Sequence, residues 1–193
     1  ERCAKVEPGW VVLVHAAAGA TGLLLVQWLK AIGASVIGTV GTAAKAEVAR
    51  AAGADHVILY REEDTAARVR ALTGRAGVHV VFDGVGMATW DASLDSCARR
   101  GLIVSFGNAD APVTGINPGV LALKGSLTNS RPTLWDYYAD PGEAAAGAAR
   151  MFAMLRTGAI RPYIGQRFSL EDAAAAHAAL ETRETVGATI LLP

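Results

Sequence analysis

Cysteine is scarce in this chain of 193 residues: there are two, Cys3 and Cys97. Two cannot build a disulfide framework, and their separation matches no metal-ligand spacing. Excess charge of either sign is also missing, with 18 basic residues against 18 acidic ones. A balanced chain gives no electrostatic case for nucleic acid or for an anionic membrane surface as partner. No apolar run approaches the roughly 20 residues that span a bilayer, because Gln27 and Lys30 interrupt the longest candidate. No basic-apolar-small leader pattern opens the sequence, so the cytoplasm is the expected compartment. Neither a Gly-x-Ser-x-Gly elbow nor a phosphate-loop Gly-Lys-Ser/Thr occurs, which sets aside two large classes of hydrolase.

What the chain has is apolar residues, 52% of the total, in a β/α rhythm. Val11 to Val14 reads as a first strand, and Ala20 to Ile32 as a helix stopped by Gly33. A strand from Ser35 to Val40 follows, then a helix from Thr42 to Ala51, capped by Thr42 and ended by Gly53. The alternation continues with a strand at Asp55 to Tyr60, a helix at Glu62 to Leu72 and a strand at Val78 to Phe82. The last of these is an unbroken apolar run of the kind buried on both faces of a parallel sheet. A helix from Ala88 to Cys97, a strand from Gly101 to Phe106, a short helix from Pro118 to Leu123 and a sixth strand at 125–129 complete the series. Six strands alternating with helices predict a doubly wound parallel sheet with right-handed crossovers.

The rhythm changes near residue 130, so the expected division is 1–130 for the sheet domain and 131–193 for a tail. The tail opens on an aromatic loop, Arg131 to Tyr138, and a helix from Pro141 to Thr157. A strand at Tyr163 to Phe168, a helix at Leu170 to Glu181 and a strand at Gly187 to Leu192 follow. Neither tail strand has an evident place in the six-stranded sheet.

The chemistry concentrates between the first strand and the first helix. Ala17-x-Gly19-x-x-Gly22 is a near-match to the dinucleotide fingerprint, with alanine in the first glycine slot. In that fingerprint the first position makes a tight turn, the second admits a pyrophosphate to the backbone and the third lets helix and strand pack closely. The helix start adds unpaired N–H groups and a partial positive charge. A ribose-binding acid is expected about 20 residues on, yet the second strand ends Gly38-Thr39-Val40-Gly41-Thr42 without one. Lys45 follows one helical turn later and Arg61 ends the third strand. Without a carboxylate to repel a 2′-phosphate, and with Lys45 to pair it, the pattern favours NADP(H) over NAD(H). Asp83-Gly-Val-Gly86 and Ser105-Phe-Gly-Asn108 stand at the strand ends that should form the rest of the crevice. His15 reads as a structural hydrogen-bonder and His177 as packing in an alanine-rich helix, while Asp83 has no partner in the local sequence. None of Tyr60, Tyr137 or Tyr138 has a lysine four residues on, which removes the Tyr-x-x-x-Lys pair of short-chain dehydrogenases.

These segments, from Val14-His-Ala-Ala-Ala-Gly-Ala-Thr-Gly22 through Ala52-Gly-Ala-Asp-His-Val57, Ser105-Phe-Gly-Asn108 and Lys124-Gly-Ser-Leu127 to Arg131-Pro-Thr-Leu134, together resemble a known family. It is the zinc-independent quinone oxidoreductases, the zeta-crystallin-like branch of the medium-chain dehydrogenase/reductases. The resemblance implies a Rossmann domain binding NADP(H), with direct hydride transfer to a quinone, enone or other small electron acceptor and no metal. It places Gly19, Ala20 and Thr21 at the pyrophosphate, and Gly41, Thr42, Lys45 and Tyr60 at the 2′-phosphate. Val85 would line the crevice, Gly107 and Asn108 would flank the nicotinamide ribose, Pro132, Thr133 and Leu134 would border the nicotinamide, and Arg183 would reach the cofactor from the tail. No catalytic residue is implied. The family turn usually reads Ala-Ala-Ala-Gly-Gly-Val-Gly, so Ala20 and Thr21 depart from it, and the Cβ of Ala20 is expected to weaken phosphate binding without altering the fold. Gly84 stands where many relatives carry serine.

The family also implies a GroES-like catalytic domain ahead of this one, which the tail strands would rejoin. The chain is therefore expected to be the cofactor half of a reductase, with little turnover alone, and to form a homodimer through strand 125–129. A stand-alone NADP(H)-binding or sensing module is the alternative. An enoyl-reductase piece of a fatty-acid or polyketide synthase has a similar turn, but the Arg-Pro-Thr-Leu and Ser-Phe-Gly-Asn segments argue against it.

Overall fold

The computed structural model describes residues 2–193. Strands β1 (Val11–Val14), β2 (Ser35–Val40), β3 (His56–Leu59), β4 (Val78–Asp83), β5 (Cys97–Ser105) and β6 (Thr128–Ser130) form one parallel sheet in the order β3-β2-β1-β4-β5-β6. That is the doubly wound order, with its reversal between β1 and β4. Each strand alternates its side chains between two cores. Val12 and Val14, Val36 and Val40, and Val80 and Phe82 pack on one face, under Val26 and Leu29 of α1 (Ala20–Ile32) and Ala46 and Ala49 of α2 (Ala43–Ala51). Leu13, Ile37, Ile58, Val81 and Ile103 pack on the other, under Val69 of α3 (Thr65–Leu72) and Leu94 of α4 (Trp90–Ser96). Both faces are covered, as the unbroken apolar run of β4 requires.

Several boundaries differ from the sequence reading, the last helix for instance starting at Ala173 rather than Leu170, and four in the sheet domain differ for a local reason. Helix α3 starts at Thr65 rather than Glu62, because the Asp64 side chain accepts from Ala67 N at 2.7 Å and caps the helix there. The amides of Glu62 and Glu63 turn back instead onto the Leu59 carbonyl. The helix read from Ala88 begins as a 3-10 turn at Met87–Thr89. Strand β5 runs back to Cys97, where a register shift against β4 absorbs the left-handed Arg100. The sixth strand begins at Thr128, not Gly125, since Gly125 (φ +116°) and Ser126 (φ +57°) turn the chain and tuck Leu127 into the core. It keeps three residues, paired to β5 on one side.

Helix α5 (Gly119–Leu123) precedes β6, and α6 (Leu134–Tyr137) follows it, where the sequence suggested only an aromatic loop. Helix α7 (Pro141–Arg156) starts as read: Asp140 accepts from Gly142 N at 2.8 Å and Glu143 N at 3.1 Å, with Pro141 in the first turn. Asp140→Ala should lower stability by about 1 kcal/mol, seen as a fall in the urea midpoint with an unchanged slope. The tail strands β7 (Ile164–Ser169) and β8 (Ala188–Leu192) join no part of the large sheet, as expected. They pair with each other in a separate parallel pair, with α8 (Ala173–Glu181) between them in sequence. Among the bonds that return the tail to the sheet domain, Gly187 N donates to Ala18 O at 2.8 Å, and Gln27 exchanges hydrogen bonds with the backbone of Arg161.

Candidate functional site

The carboxyl ends of β1, β2 and β4 open into a cleft of about 1170 Å³, above the strand reversal. Its floor is the turn between β1 and α1. Ala16 is held in the left-handed region (φ +51°), and its carbonyl accepts from Gly19 N at 3.0 Å. Gly19 caps α1 with no side-chain bond, so the first-turn amides of the helix face the cleft side without an intrahelical acceptor. Gly22 lies directly against the turn: a Cβ there would fall 2.3 Å from Ala16 O. Alanine in the first glycine slot is accommodated from across the sheet. Ala17 is fully buried, and a Cβ at Gly38 would meet its methyl at 2.7 Å, so the space has moved from residue 17 to residue 38. That exchange joins two strands and leaves no signal within the fingerprint.

At the ends of β2 and β3 Lys45 and Arg61 come together, beside Arg183 of the loop before β8. Lys45, Arg61 and Arg183 all line the cleft, with Gly41, Thr42 and Tyr60 beside them. Gly41 has no room for a side chain, since a Cβ would lie 2.8 Å from the Tyr60 hydroxyl. The Thr42 hydroxyl caps α2 by accepting from Lys45 N at 3.3 Å, which aims the Lys45 side chain into the cleft. Lys45 Nζ donates to the Arg183 carbonyl at 2.5 Å, and the Arg183 guanidinium pairs with Asp110 at 2.9 Å. The loop before β8 therefore crosses the cleft as a strap. Burial lowers the Lys45 ammonium from its ordinary pKa, Arg61 lowers it further and Glu184 works against both.

Below the floor lies a polar cluster the sequence did not assemble. Asp83, at the end of β4, accepts from Val85 N (2.8 Å), Gly86 N (3.1 Å), the Thr89 hydroxyl (2.8 Å) and the Ser93 hydroxyl (2.7 Å). His15 Nε2 lies 3.1 Å from Ser93 Oγ, and His15 Nδ1 lies 3.0 Å from Thr39 Oγ1. Burial raises the Asp83 carboxyl, but the facing His15 ring and the donors Ser93, Gly86 and Thr89 outweigh it and hold it below the usual carboxylate range. Burial pushes the His15 ring below its ordinary 6.5, against the pull of Asp83. The ring is thus neutral in the fold. Above pH 6.5 this contribution to stability is present, and it is lost as the pH falls through the folded pKa, because the unfolded chain takes up the proton first. The urea midpoint should fall between about pH 7.5 and pH 5, and His15→Asn should flatten that slope. Although serine, histidine and aspartate meet here, Ser93 donates to the carboxylate rather than to the ring and is fully buried, so it is no nucleophile.

The cleft collects Gly19, Gly41, Thr42, Lys45, Tyr60, Val85 and Arg183 of the residues read from the sequence. Ala20 and Thr21 are exposed at the start of α1, just outside its lining. Pro132, Thr133 and Leu134 border a second cleft of about 490 Å³, with Phe106 and Trp28. Gly107 and Asn108 line neither. Asn108 accepts from Arg131 at 3.1 Å, and Gly107 packs on Gly84, where a Cβ would fall 2.8 Å from the Gly84 carbonyl. A Cβ at Gly84 would come within 2.7 Å of the Phe106 ring, so serine there would require the ring to move. His177 is not packing: it is exposed and forms part of the cleft wall. Arg61, Asp110 and Glu184 belong to the cleft but carry no motif of their own.

The model of one protein family, zinc-binding dehydrogenase, matches residues 20–133, which takes in the helix start, the cationic corner and the whole sheet beyond β1. The chain belongs to the zinc-binding dehydrogenase family. The resemblance read from the sequence is borne out at closer range. A quinone oxidoreductase of Salmonella typhimurium is 49% identical over 191 residues, 98% of this chain and 58% of that protein. A mycobacterial protein solved with NADPH superposes with a TM-score of 0.96 at 45% identity, covering 100% of this chain and 60% of the other. The Escherichia coli quinone oxidoreductase, also solved with NADPH, gives a TM-score of 0.94 at 46% identity, covering 98% and 59%. The chain thus spans about three-fifths of the length of these relatives. Despite the name of the zinc-binding dehydrogenase family, no three His, Cys, Asp or Glu side chains among the described residues come together to hold a metal. The described residues do not fit a zinc ion. No helix among them is long and apolar enough to cross a membrane.

Proposed function

We propose that this chain is the NADP(H)-binding part of an oxidoreductase that passes a hydride directly to a quinone, or to an enone, without a metal. The observation that carries this reading is the meeting of Lys45 and Arg61 at the ends of β2 and β3, with Arg183 on the strap beside them, where the end of β2 offers no carboxylate. A 2′-phosphate is the cofactor feature that these cations, with no carboxylate at the end of β2, would select. Above it, the Gly19–Gly22 turn suits a pyrophosphate: its amides are free of side-chain caps, and a side chain at Gly22 has no room. When bound, the cofactor supplies the hydride. The chain's own residues bind and orient it: Gly19, Ala20 and Thr21 at the pyrophosphate, Gly41, Thr42, Lys45 and Tyr60 with Arg183 at the 2′-phosphate, and Val85 along the crevice. Gly107 and Asn108 are assigned to the nicotinamide ribose and Pro132 to Leu134 to the nicotinamide side. The division into 1–130 for cofactor and 131–193 for the tail belongs to the same reading, as does a cytoplasmic location.

Calorimetric titration of the 193-residue chain with NADPH and with NADH tests it. Tighter binding of NADPH supports the proposal, and equal or no binding overturns it. The free edge of β6 suits a homodimer that continues the sheet into a second copy, through the exposed Thr128 and Asn129. Sedimentation at micromolar concentration should show the dimer, and a monomer would remove this part of the reading.

A further inference from the structure

The four side chains beneath the cleft floor form a chain of hydrogen bonds whose directions can be worked out. Thr39, His15, Ser93 and Asp83 are all at least 97% buried, at 2%, 3%, 0% and 1% exposure, so each polar atom must find its partner within the protein. An ionised carboxylate only accepts, and Ser93 Oγ is 2.7 Å from Asp83 Oδ2, so the single hydroxyl hydrogen of Ser93 points to Asp83. The 3.1 Å contact between Ser93 Oγ and His15 Nε2 must then carry a hydrogen from the ring. A neutral ring protonated at Nε2 has a bare Nδ1, and that atom accepts the Thr39 hydroxyl at 3.0 Å. Every donor in the series is used once, and each contact carries one hydrogen. The opposite tautomer would leave two lone pairs facing each other between Ser93 and the ring.

The two ends of this relay are the two walls of the cleft. Thr39, on β2, also accepts through its carbonyl from Ala17 N at 3.0 Å, which fixes the entry to the phosphate turn. Asp83, at the other end, holds the amides of Val85 and Gly86. His15 sits between them, directly after β1, its own amide donating to Phe82 O at 3.0 Å. We propose that His15 is a positioning residue: as a neutral ring protonated at Nε2, it couples Thr39 and the phosphate turn to Ser93 and the Asp83–Gly86 loop. The two walls that receive the dinucleotide are thereby held at a fixed spacing. The ligand in this statement rests on the NADP(H) reading above, whereas the tautomer and the coupling do not.

The test therefore has readouts with and without cofactor. In the chain labelled with nitrogen-15 at histidine, the His15 ring should show a protonated Nε2 and an accepting Nδ1 at neutral pH. Thr39→Val keeps the shape of the side chain but removes the donor, and Thr39→Ser keeps the donor. Amide exchange at Val85 and Gly86, on the far side of the ring, should quicken about five- to tenfold in Thr39→Val and stay near wild type in Thr39→Ser. The NADPH dissociation constant should weaken by a similar factor in the valine variant alone. A ring protonated at Nδ1, or unchanged exchange at Gly86 in Thr39→Val, overturns the proposal. If Thr39→Val fails to fold, the wild-type tautomer and exchange in Ser93→Ala decide it. If the wild-type chain binds no NADPH, the NADP(H) reading fails, while tautomer and exchange still decide the coupling.

Discussion

Gly22→Ala should cost about 3 kcal/mol or more of stability. The added Cβ would stand 2.3 Å from the Ala16 carbonyl, 2.9 Å from Ala17 Cα and 3.0 Å from the Ala17 carbonyl carbon. All three atoms are backbone, so no side chain can swing aside. Nor can the turn retreat. Ala16 is already in the left-handed region, and Ala17 is fully buried with its methyl against Gly38. Relief must come from moving α1 off β1, which opens the core around Val26 and Leu29. Against the roughly 5–15 kcal/mol that separates folded from unfolded domains, that is a large share. The urea midpoint should drop steeply, and NADPH binding should go with it. Gly19→Ala separates the two roles of the fingerprint. Its Cβ would meet one atom, Ala16 O, at 3.3 Å, so the fold should hold while the approach of a phosphate to the backbone is obstructed. A Gly22→Ala chain as stable as wild type would show that helix and strand do not need this contact.

The sheet was legible because its signals are local. Apolar runs bounded by glycine and proline mark the strands, and Gly33 and Thr42 do end and begin helices as they suggest. The doubly wound order follows from the alternation itself. What local reading missed depends on contacts between distant elements. Asp83 looked partnerless because its partners, Thr89 and Ser93 on the following turn and helix, and the His15 ring that Ser93 joins to it, meet only in the fold. The alanine methyl of residue 17 was a departure within the fingerprint and became intelligible only against Gly38, one strand away. The sixth strand slipped by three residues because two consecutive left-handed residues cannot be read from a serine. Pro132 to Leu134 were carried over by resemblance, and no pattern in the sequence shows that they face a different cleft from Lys45.

Lys45→Ala should weaken NADPH binding by about ten- to a hundredfold, the worth of a charge-assisted hydrogen bond to phosphate, and weaken NADH much less. The lysine is aimed from the first turn of α2, where Thr42 caps the helix, and it shares its corner with Arg61 and Arg183. Without a ligand, that corner is a cluster of like charges: Arg61 lowers the Lys45 pKa, and the Arg183 guanidinium is occupied by Asp110. A dianionic phosphate would turn this repulsion into attraction, so the energy belongs to the 2′-phosphate and to no other part of the cofactor. Lys45 also donates to the Arg183 carbonyl, and losing that bond loosens the strap over the cleft for any dinucleotide. The strap effect falls on NADPH and NADH alike. The ratio of the two dissociation constants therefore isolates the charge. Arg61→Ala should lower the same ratio by less, since its side chain is exposed and its attraction is screened by salt. If Lys45→Ala weakened both cofactors equally, the lysine would be a fastener for the strap, and the selectivity for NADPH would have to come from Arg183.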